Sequence, residues 1–193
     1  IDTDRFVPTN QYSNEKKVAI GWTGTFSTRP FLDLLRPVFI ELKKQRDFKL
    51  IVIGNFEYDF PEMDLEVIQW SAEREVEDLQ KLDIGVYPLP MDDWVMGKSG
   101  LKAIQYMAFG LPCVATDIST VQQFIEDGKN GILVKTVDEW VFALSELIDS
   151  PELRRQIGQC ARQTVLEKFS KHVVEEQYLE VLESTVKTSG YGN

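Results

Sequence analysis

At 193 residues, 43% hydrophobic and 27% charged, the chain has the size and composition of one soluble globular domain with a single core. Its formal net charge of -10 repels phosphate backbones and excludes nucleic acid as an expected partner. A phosphate bound here has to be held by a few placed Lys and Arg side chains and by backbone N–H groups. No apolar run approaches the ~20 residues of a transmembrane helix.

The two cysteines, Cys113 and Cys160, lie far apart, and Cys113 sits in the apolar run Pro112-Cys113-Val114-Ala115 as a small core residue. They form no disulfide framework or zinc site, and a reducing cytoplasm suits them. The chain starts at Ile1 with neither an initiating Met nor a signal peptide, as a fragment or processed product does.

In chain order, residues 1–15 are polar and irregular, with Pro8, Asn10 and Asn14, and read as an incoming linker. Val18–Trp22 is a short strand leading into the glycine turn Gly21-Trp22-Thr23-Gly24-Thr25. Phe31, Leu34, Leu35, Val38 and Leu42 have helical spacing over Phe31–Lys44, with Pro37 kinking or breaking the helix. Leu50–Ile53 and Leu65–Ile68 are strands, Ala72–Lys81 a charged helix and Ile84–Tyr87 another strand. Gly100–Phe109 is a helix with an apolar stripe of Leu101, Ile104 and Ala108. Cys113–Thr116 is a strand, Ser119–Glu126 a short helix capped by Ser119, and Gly131–Val134 the last strand. Helices Asp138–Ile148, Pro151–Phe169 and Val173–Val186 follow, with Pro151 where a missing N–H costs least, and then a loose tail over 187–193. The unit between linker and tail, 16–186, is expected to be a doubly wound α/β domain, because short apolar strands alternating with helices imply a parallel sheet covered on both faces. Ligands of such folds bind beyond the carboxyl ends of the strands, where strand order reverses.

The segment Gly97-Lys98-Ser99-Gly100-Leu101-Lys102-Ala103-Ile104-Gln105 carries the densest chemistry. Ser99 is placed to cap the following helix, whose first-turn N–H groups form an anion site. Lys98 and Lys102 flank that helix start, with Gln105 a turn further along the same side. Two ammonium groups there suit a diphosphate, and the Gln105 amide suits vicinal hydroxyls such as those of a ribose. Lysines at a helix start oppose the macrodipole by roughly 0.3–1 kcal/mol, which asks for a reason, although solvated surface lysines are common. Gly21 and Gly24 allow close backbone approach to a phosphate, but a lone Gly-x-x-Gly usually only connects elements. The pattern is not the dinucleotide fingerprint.

The run Gln105-Tyr-Met-Ala-Phe-Gly-Leu-Pro-Cys-Val-Ala-Thr-Asp117 resembles the Glu-Ala-Met-Ala-x-Gly-x-Pro-Val-Val-Ala-Ser segment of the family-four (group 1) retaining glycosyltransferases. Glu126-Asp-Gly-Lys-Asn-Gly-Ile-Leu-Val134 is similar to their next turn and strand. Ile1-Asp-Thr-Asp-Arg-Phe-Val-Pro8 looks like the stretch after their interdomain linker. The resemblance, from Ile1 to about Val186, implies GT-B architecture, with this chain as the carboxy-terminal, Rossmann-like domain that holds a nucleotide-diphosphate sugar without a metal or other cofactor. It implies a missing amino-terminal domain of the same polypeptide and no catalysis by the fragment alone, so the catalytic residues are unassigned. By position, Gly97 and Gln105 replace the family's two glutamates, which contact the transferred sugar and the ribose. Trp22 and a position near Thr28 or Arg29 replace its first-loop Arg and Lys, and Trp70 falls where the nucleotide base lies. A bacterial branch with Gly-Lys-x-x-x-Lys-x-x-Gln-Tyr-Met-Ala is more similar still. It points to hexosyl transfer in polysaccharide biosynthesis in the cytoplasm, with membrane association of the full-length protein left open.

Three readings follow: a glycosyltransferase donor domain, a non-catalytic nucleotide-binding or assembly module of the same fold, and a GT-B nucleotide-sugar epimerase. The last needs titratable groups that the sequence offers sparingly. The lone histidine, His172, reads as a surface or packing residue and gives Ser/His catalysis little support. Asp92, Asp93 and Trp94 read as loop residues on the ligand side, and Trp140 as core. Val173, Val174, Gln177, Tyr178, Val181 and Leu182 read as a packing stripe, part of which is exposed in a fragment and promotes association.

Overall fold

The computed structural model describes residues 1–8, 17–91, 95 and 97–188. Six strands run in chain order: β1 (Val18–Gly24), β2 (Phe48–Gly54), β3 (Leu65–Gln69), β4 (Ile84–Tyr87), β5 (Cys113–Thr116) and β6 (Ile132–Val134). They form one sheet of order β3-β2-β1-β4-β5-β6, with every neighbouring pair parallel. The helices are α1 (Arg29–Asp33), α2 (Arg36–Lys43), α3 (Glu75–Leu79), α4 (Leu101–Ala108), α5 (Val137–Asp149), α6 (Pro151–Lys168) and α7 (Lys171–Thr188).

Both faces of the sheet are buried, which explains strands that are apolar at successive positions rather than at alternate ones. Ile20, Trp22, Leu50, Val52 and Val114 point into a core shared with α2 and α5. Ala19, Ile51, Ile53, Cys113 and Ala115 point the other way, into a core shared with α4 and the second half of α6. Cys113 and Trp140 are core residues, as expected.

Several elements differ from expectation. The helix foreseen over Phe31–Lys44 is two short helices, because Pro30 and Pro37 each occupy a first turn, the place where a proline ring and missing N–H are tolerated. The helix foreseen over Ala72–Lys81 is confined to α3. Ser119–Phe124 forms consecutive turns instead of the helix foreseen over Ser119–Glu126, so Ser119 does not stand at a helix start. Asn130 holds this stretch from outside, accepting from Glu126 N–H and donating to Phe124 O, so the backbone groups that would extend a helix are taken. Leu101 leaves the foreseen apolar stripe, being 55% exposed while Ile104 and Ala108 are buried. His172 is a surface residue, one of its two expected readings, facing Asp4 at 3.7 Å. On α7, Val174, Tyr178, Val181 and Leu182 are exposed, so the expected exposed part of the stripe includes all four.

The foreseen glycine turn is also corrected. β1 continues to Gly24, and Gly21 pairs with Ile51 and Gly85 inside the sheet. A Cβ at Gly21 would lie 2.2 Å from a Leu82 methyl, so glycine is there to let Leu82 pack. Residues 1–8 lie on the domain: the Ile1 amino group donates to Phe169 O, Lys171 N–H donates to Ile1 O, and Phe6 packs on Phe109. Arg162 donates to the carbonyls of Thr3, Phe6 and Ala108. Asn10, Asn14, the acidic pair Asp92 and Asp93 with Trp94, and the tail beyond 188 lie outside the described residues.

Gly21→Ala is expected to lower stability by about 1–3 kcal/mol through overpacking against Leu82. Urea denaturation measures it, and an unchanged midpoint would show that the strand has room there.

Candidate functional site

From β1 the chain winds outward through β2 and β3, and from β4 it winds the other way through β5 and β6. The carboxyl ends of β1 and β4 therefore form the switch-point crevice of this fold. A cleft of about 320 Å³ lies there, lined by Thr25, Thr28, Phe31, Tyr87, Leu89 and the run Lys98 to Lys102. Two larger hollows lie elsewhere. One, of about 680 Å³, surrounds Arg36, whose guanidinium is already committed to Asp33 and Asp59 O. The other, of about 650 Å³, runs between Gln122 and Lys168.

The cleft is organised by the start of α4. Its N-cap is Gly100, in the left-handed region with φ 69°, and a Cβ there would lie 2.4 Å from the Phe124 ring. Only glycine meets both demands. Gly100 has no side chain with which to cap this helix; the cap position that the sequence suggested for Ser99 falls one residue later. The first-turn N–H groups of α4 thus present their partial positive charge to the cleft with no acceptor from the N-cap residue.

Lys102 rises from that turn between two partners. Its ammonium lies 4.9 Å from the centroid of Trp22 and donates to Thr28 Oγ1 at 3.0 Å. The family resemblance puts a basic pair at Trp22 and at a position near Thr28 or Arg29. Here Trp22 and Thr28 are both contacts of one lysine: an indole face that attracts a cation and a hydroxyl that accepts from it. Trp22 is buried, and its ring fills the space over Gly24, where a Cβ would meet it at 2.0 Å. Lys98 Nζ sits 5.1 Å from the centroid of Phe31. Burial, and then the nearby charge of Lys98, push the Lys102 pKa down to about 8. Tyr87, at the floor of the cleft, is pushed up to about 12 by burial, and then by Cys113, so its hydroxyl keeps its proton at neutral pH.

Gln105 is one turn beyond Lys102. Its Nε2 donates to Glu75 Oε1 at 3.3 Å. The other Glu75 oxygen is 3.4 Å from the Arg5 guanidinium, which also donates to Ala72 O. Trp70, 47% exposed, follows β3 on the same edge of the sheet. A Cβ at Gly97 would meet nothing within 4 Å. The structure therefore brings Lys98, Ser99, Gly100, Leu101 and Lys102 to one cleft, with Gly24, Gln105 and Trp70 on its edge of the sheet, and leaves Gly21 inside the sheet. Sequence spacing gave no sign of Glu75 or Arg5, since both are remote from Gln105 along the chain. Among the described residues, no group of three or more His, Cys, Asp or Glu is arranged to hold a metal ion, and no helix is long and apolar enough to cross a membrane.

The sequence pattern of the family described as Glycosyl transferases group 1 matches residues 17–150. The chain belongs to this family. It is 27% identical over 177 residues to N-acetyl-alpha-D-glucosaminyl L-malate synthase of Bacillus anthracis, an alignment covering 86% of this chain and 45% of that protein. The chain thus spans about half the length of that curated relative. Its fold is that of the C-terminal Rossmann-like domain of GT-B glycosyltransferases. The C-terminal domain of a glycosyl transferase group 1 family protein (LpcC) from Francisella tularensis superposes with a TM-score of 0.68 at 23% identity, covering 89% of this chain and 99% of that one. The Anabaena protein HepE in complex with UDP and glucose superposes with a TM-score of 0.72 at 16% identity, over 95% of this chain and 55% of that one.

The lowered pKa of Lys102 has a stability consequence. Below about pH 8 Lys102 is charged in both the folded and unfolded states, and the folded domain bears the full cost of its burial, at most about 3 kcal/mol. Between about 8 and 10.5 the folded state loses the proton first, so this cost fades as pH rises. Lys102→Met is expected to be more stable than the parent at pH 7, with the difference shrinking by pH 9.5. Denaturant midpoints at the two pH values check this, and a pH-independent difference would count against the buried charge.

Proposed function

We propose that this chain is the donor-binding domain of a hexosyltransferase and holds the diphosphate of a nucleotide-diphosphate sugar in the switch-point cleft. The observation that carries the reading is Lys102: a half-buried ammonium, destabilised by burial and by Lys98, aimed into a crevice beside uncapped helix N–H groups. Such a site gains most from a bound anion, because the anion relieves the repulsion that the empty cleft suffers. HepE, which shares the fold, was solved with UDP and glucose, which agrees with a nucleotide in this position.

In transfer, the bond between the sugar's anomeric carbon and the diphosphate oxygen breaks, and negative charge grows on the departing nucleotide. Lys98, Lys102 and the α4 amides stabilise that charge as it develops. They supply from the chain the positive charge that a metal supplies in other phosphate sites, so binding needs no cofactor. Gly24 lets the backbone after β1 approach, Gln105 faces the ribose and Trp70 the base. The unit 16–186 performs donor binding, while the acceptor and the residues facing it come from outside this chain. Transfer with retention of configuration therefore belongs to the whole enzyme, in concert with its amino-terminal domain.

A second reading, a nucleotide-binding module that does no transfer, is favoured by one feature: Gly97, which brings no side chain to a position where the family resemblance puts a sugar-contacting glutamate. The epimerase reading has less support, since the described lining of the cleft offers Lys98, Lys102 and Tyr87 but no carboxylate or histidine.

Titration calorimetry with UDP, GDP and ADP, alone and as sugar conjugates, tests the proposal. At least one is expected to bind, and equally well with EDTA present. Lys102→Ala is expected to weaken it by about tenfold to a hundredfold, the range of a lost charge-assisted contact, and Lys98→Ala by less. Affinity is expected to fall as pH rises past about 8, where the free site loses the Lys102 proton. A folded protein that binds none of the three overturns the donor-site reading.

A further inference from the structure

The geometry points to Glu75 as a hydroxyl-recognising carboxylate just beyond the lining of the cleft, acting with Gln105 to grip the vicinal diol of the nucleotide's ribose. The inference rests on the donor-site reading above and adds to it a residue from a different element, whose position in the sequence gives no hint of the role.

A diol is recognised best by groups that accept its two O–H donors, and a carboxylate does this more strongly than a neutral amide because the bonds are charge-assisted. α4 carries no carboxylate, only Gln105 one turn beyond the cleft-lining Lys102. A carboxylate nevertheless stands beside it, because the first residue of α3 brings Glu75 Oε1 to 3.3 Å from Gln105 Nε2. The contact also settles which way Gln105 faces. A carboxylate only accepts, so the amide nitrogen must turn toward Glu75, and the amide oxygen is left to accept from something else.

Glu75 is held, not loose. Its second oxygen lies 3.4 Å from the Arg5 guanidinium, and its side chain is 17% exposed, enough for a ligand hydroxyl to reach. Two oxygens offer about four lone-pair positions. The Gln105 and Arg5 contacts occupy two of them, which leaves capacity for both hydroxyls of a diol. The location agrees as well. Gln105 follows Lys102 by three residues and so shares its side of α4, and the segment Ser71 to Arg74 joins Trp70 to Glu75. Base, ribose and diphosphate then follow in order along one edge of the sheet.

Calorimetry of the chain with three probes decides the matter: UDP, 2′,3′-dideoxy-UDP and inorganic pyrophosphate. The parent chain is expected to prefer UDP over the dideoxy compound by about tenfold or more. In Glu75→Gln that preference is expected to fall toward unity, while pyrophosphate affinity stays within about twofold, which also reports that the cleft is still folded. Exchanging the two residues, Glu75→Gln with Gln105→Glu, returns a carboxylate to the pair and is expected to restore the preference. A Glu75→Gln variant that keeps the parental ratio, or an exchange that does not restore it, overturns the role of Glu75 and leaves the diphosphate site standing. If the parent binds none of UDP, GDP, ADP and pyrophosphate, the donor-site reading itself falls, and the diol grip with it; if it binds GDP or ADP in place of UDP, that nucleotide and its dideoxy analogue take the place of the UDP pair.

Discussion

A lysine ammonium inside a protein has to be accommodated by whatever surrounds it, and much of the local architecture here is that accommodation. Lys102 leans on the Trp22 face and on the Thr28 hydroxyl. For the indole to be there, Trp22 must point into the core from β1 and Gly24 must carry no side chain. For the lysine to leave α4 in that direction, the chain must enter the helix through a left-handed residue under Phe124, which only glycine permits at Gly100. None of these contacts neutralises the charge. An indole face and a hydroxyl orient a cation and compensate part of its lost hydration, but the positive potential remains in the crevice, reinforced by Lys98 and by the helix start.

The overall charge makes that concentration more informative. A chain with a formal net charge of -10 repels anions at a distance, yet at physiological salt such repulsion fades beyond roughly 8 Å. Within the cleft the near charges decide, and those of its described lining, Lys98 and Lys102, are positive. On the proposed reading, an extended polyanion would meet the whole acidic surface, whereas a compact diphosphate would meet chiefly the lysines.

The sheet was legible in the sequence because burial on both faces writes itself as uninterrupted apolar runs, and the Gly97–Gln105 segment was legible because its residues are neighbours on one turn of helix. What the sequence hid depends on distant residues. Gly21 in an apolar strand suggests a turn until Leu82, far along the chain, is seen to need its space. Ser119–Glu126 has helical spacing, but Asn130 takes the backbone groups at its end. Ser99 is a good cap by residue type, although the chain turns one residue later. Trp22 and Thr28, which only the family resemblance singled out, and Glu75, which nothing in the sequence did, reach Lys102 and Gln105 through the parallel crossovers that bring separate βα loops to one edge. Local spacing has no means of showing that.

The docking of residues 1–8 bears on the order in which the molecule assembles. Ile1 meets Phe169 across 168 positions of chain, and Arg162 meets Thr3 across 159 and Phe6 across 156. Contacts so remote in sequence are slow to form, because closing the intervening chain costs entropy that only an organised sheet repays. Residues 1–8 are received by α6 together with the end of α4. They are thus seated by contacts of the slow-forming kind. Arg162 is the latch, and its third carbonyl, that of Ala108, lies at the end of the helix that begins with the lysine cleft.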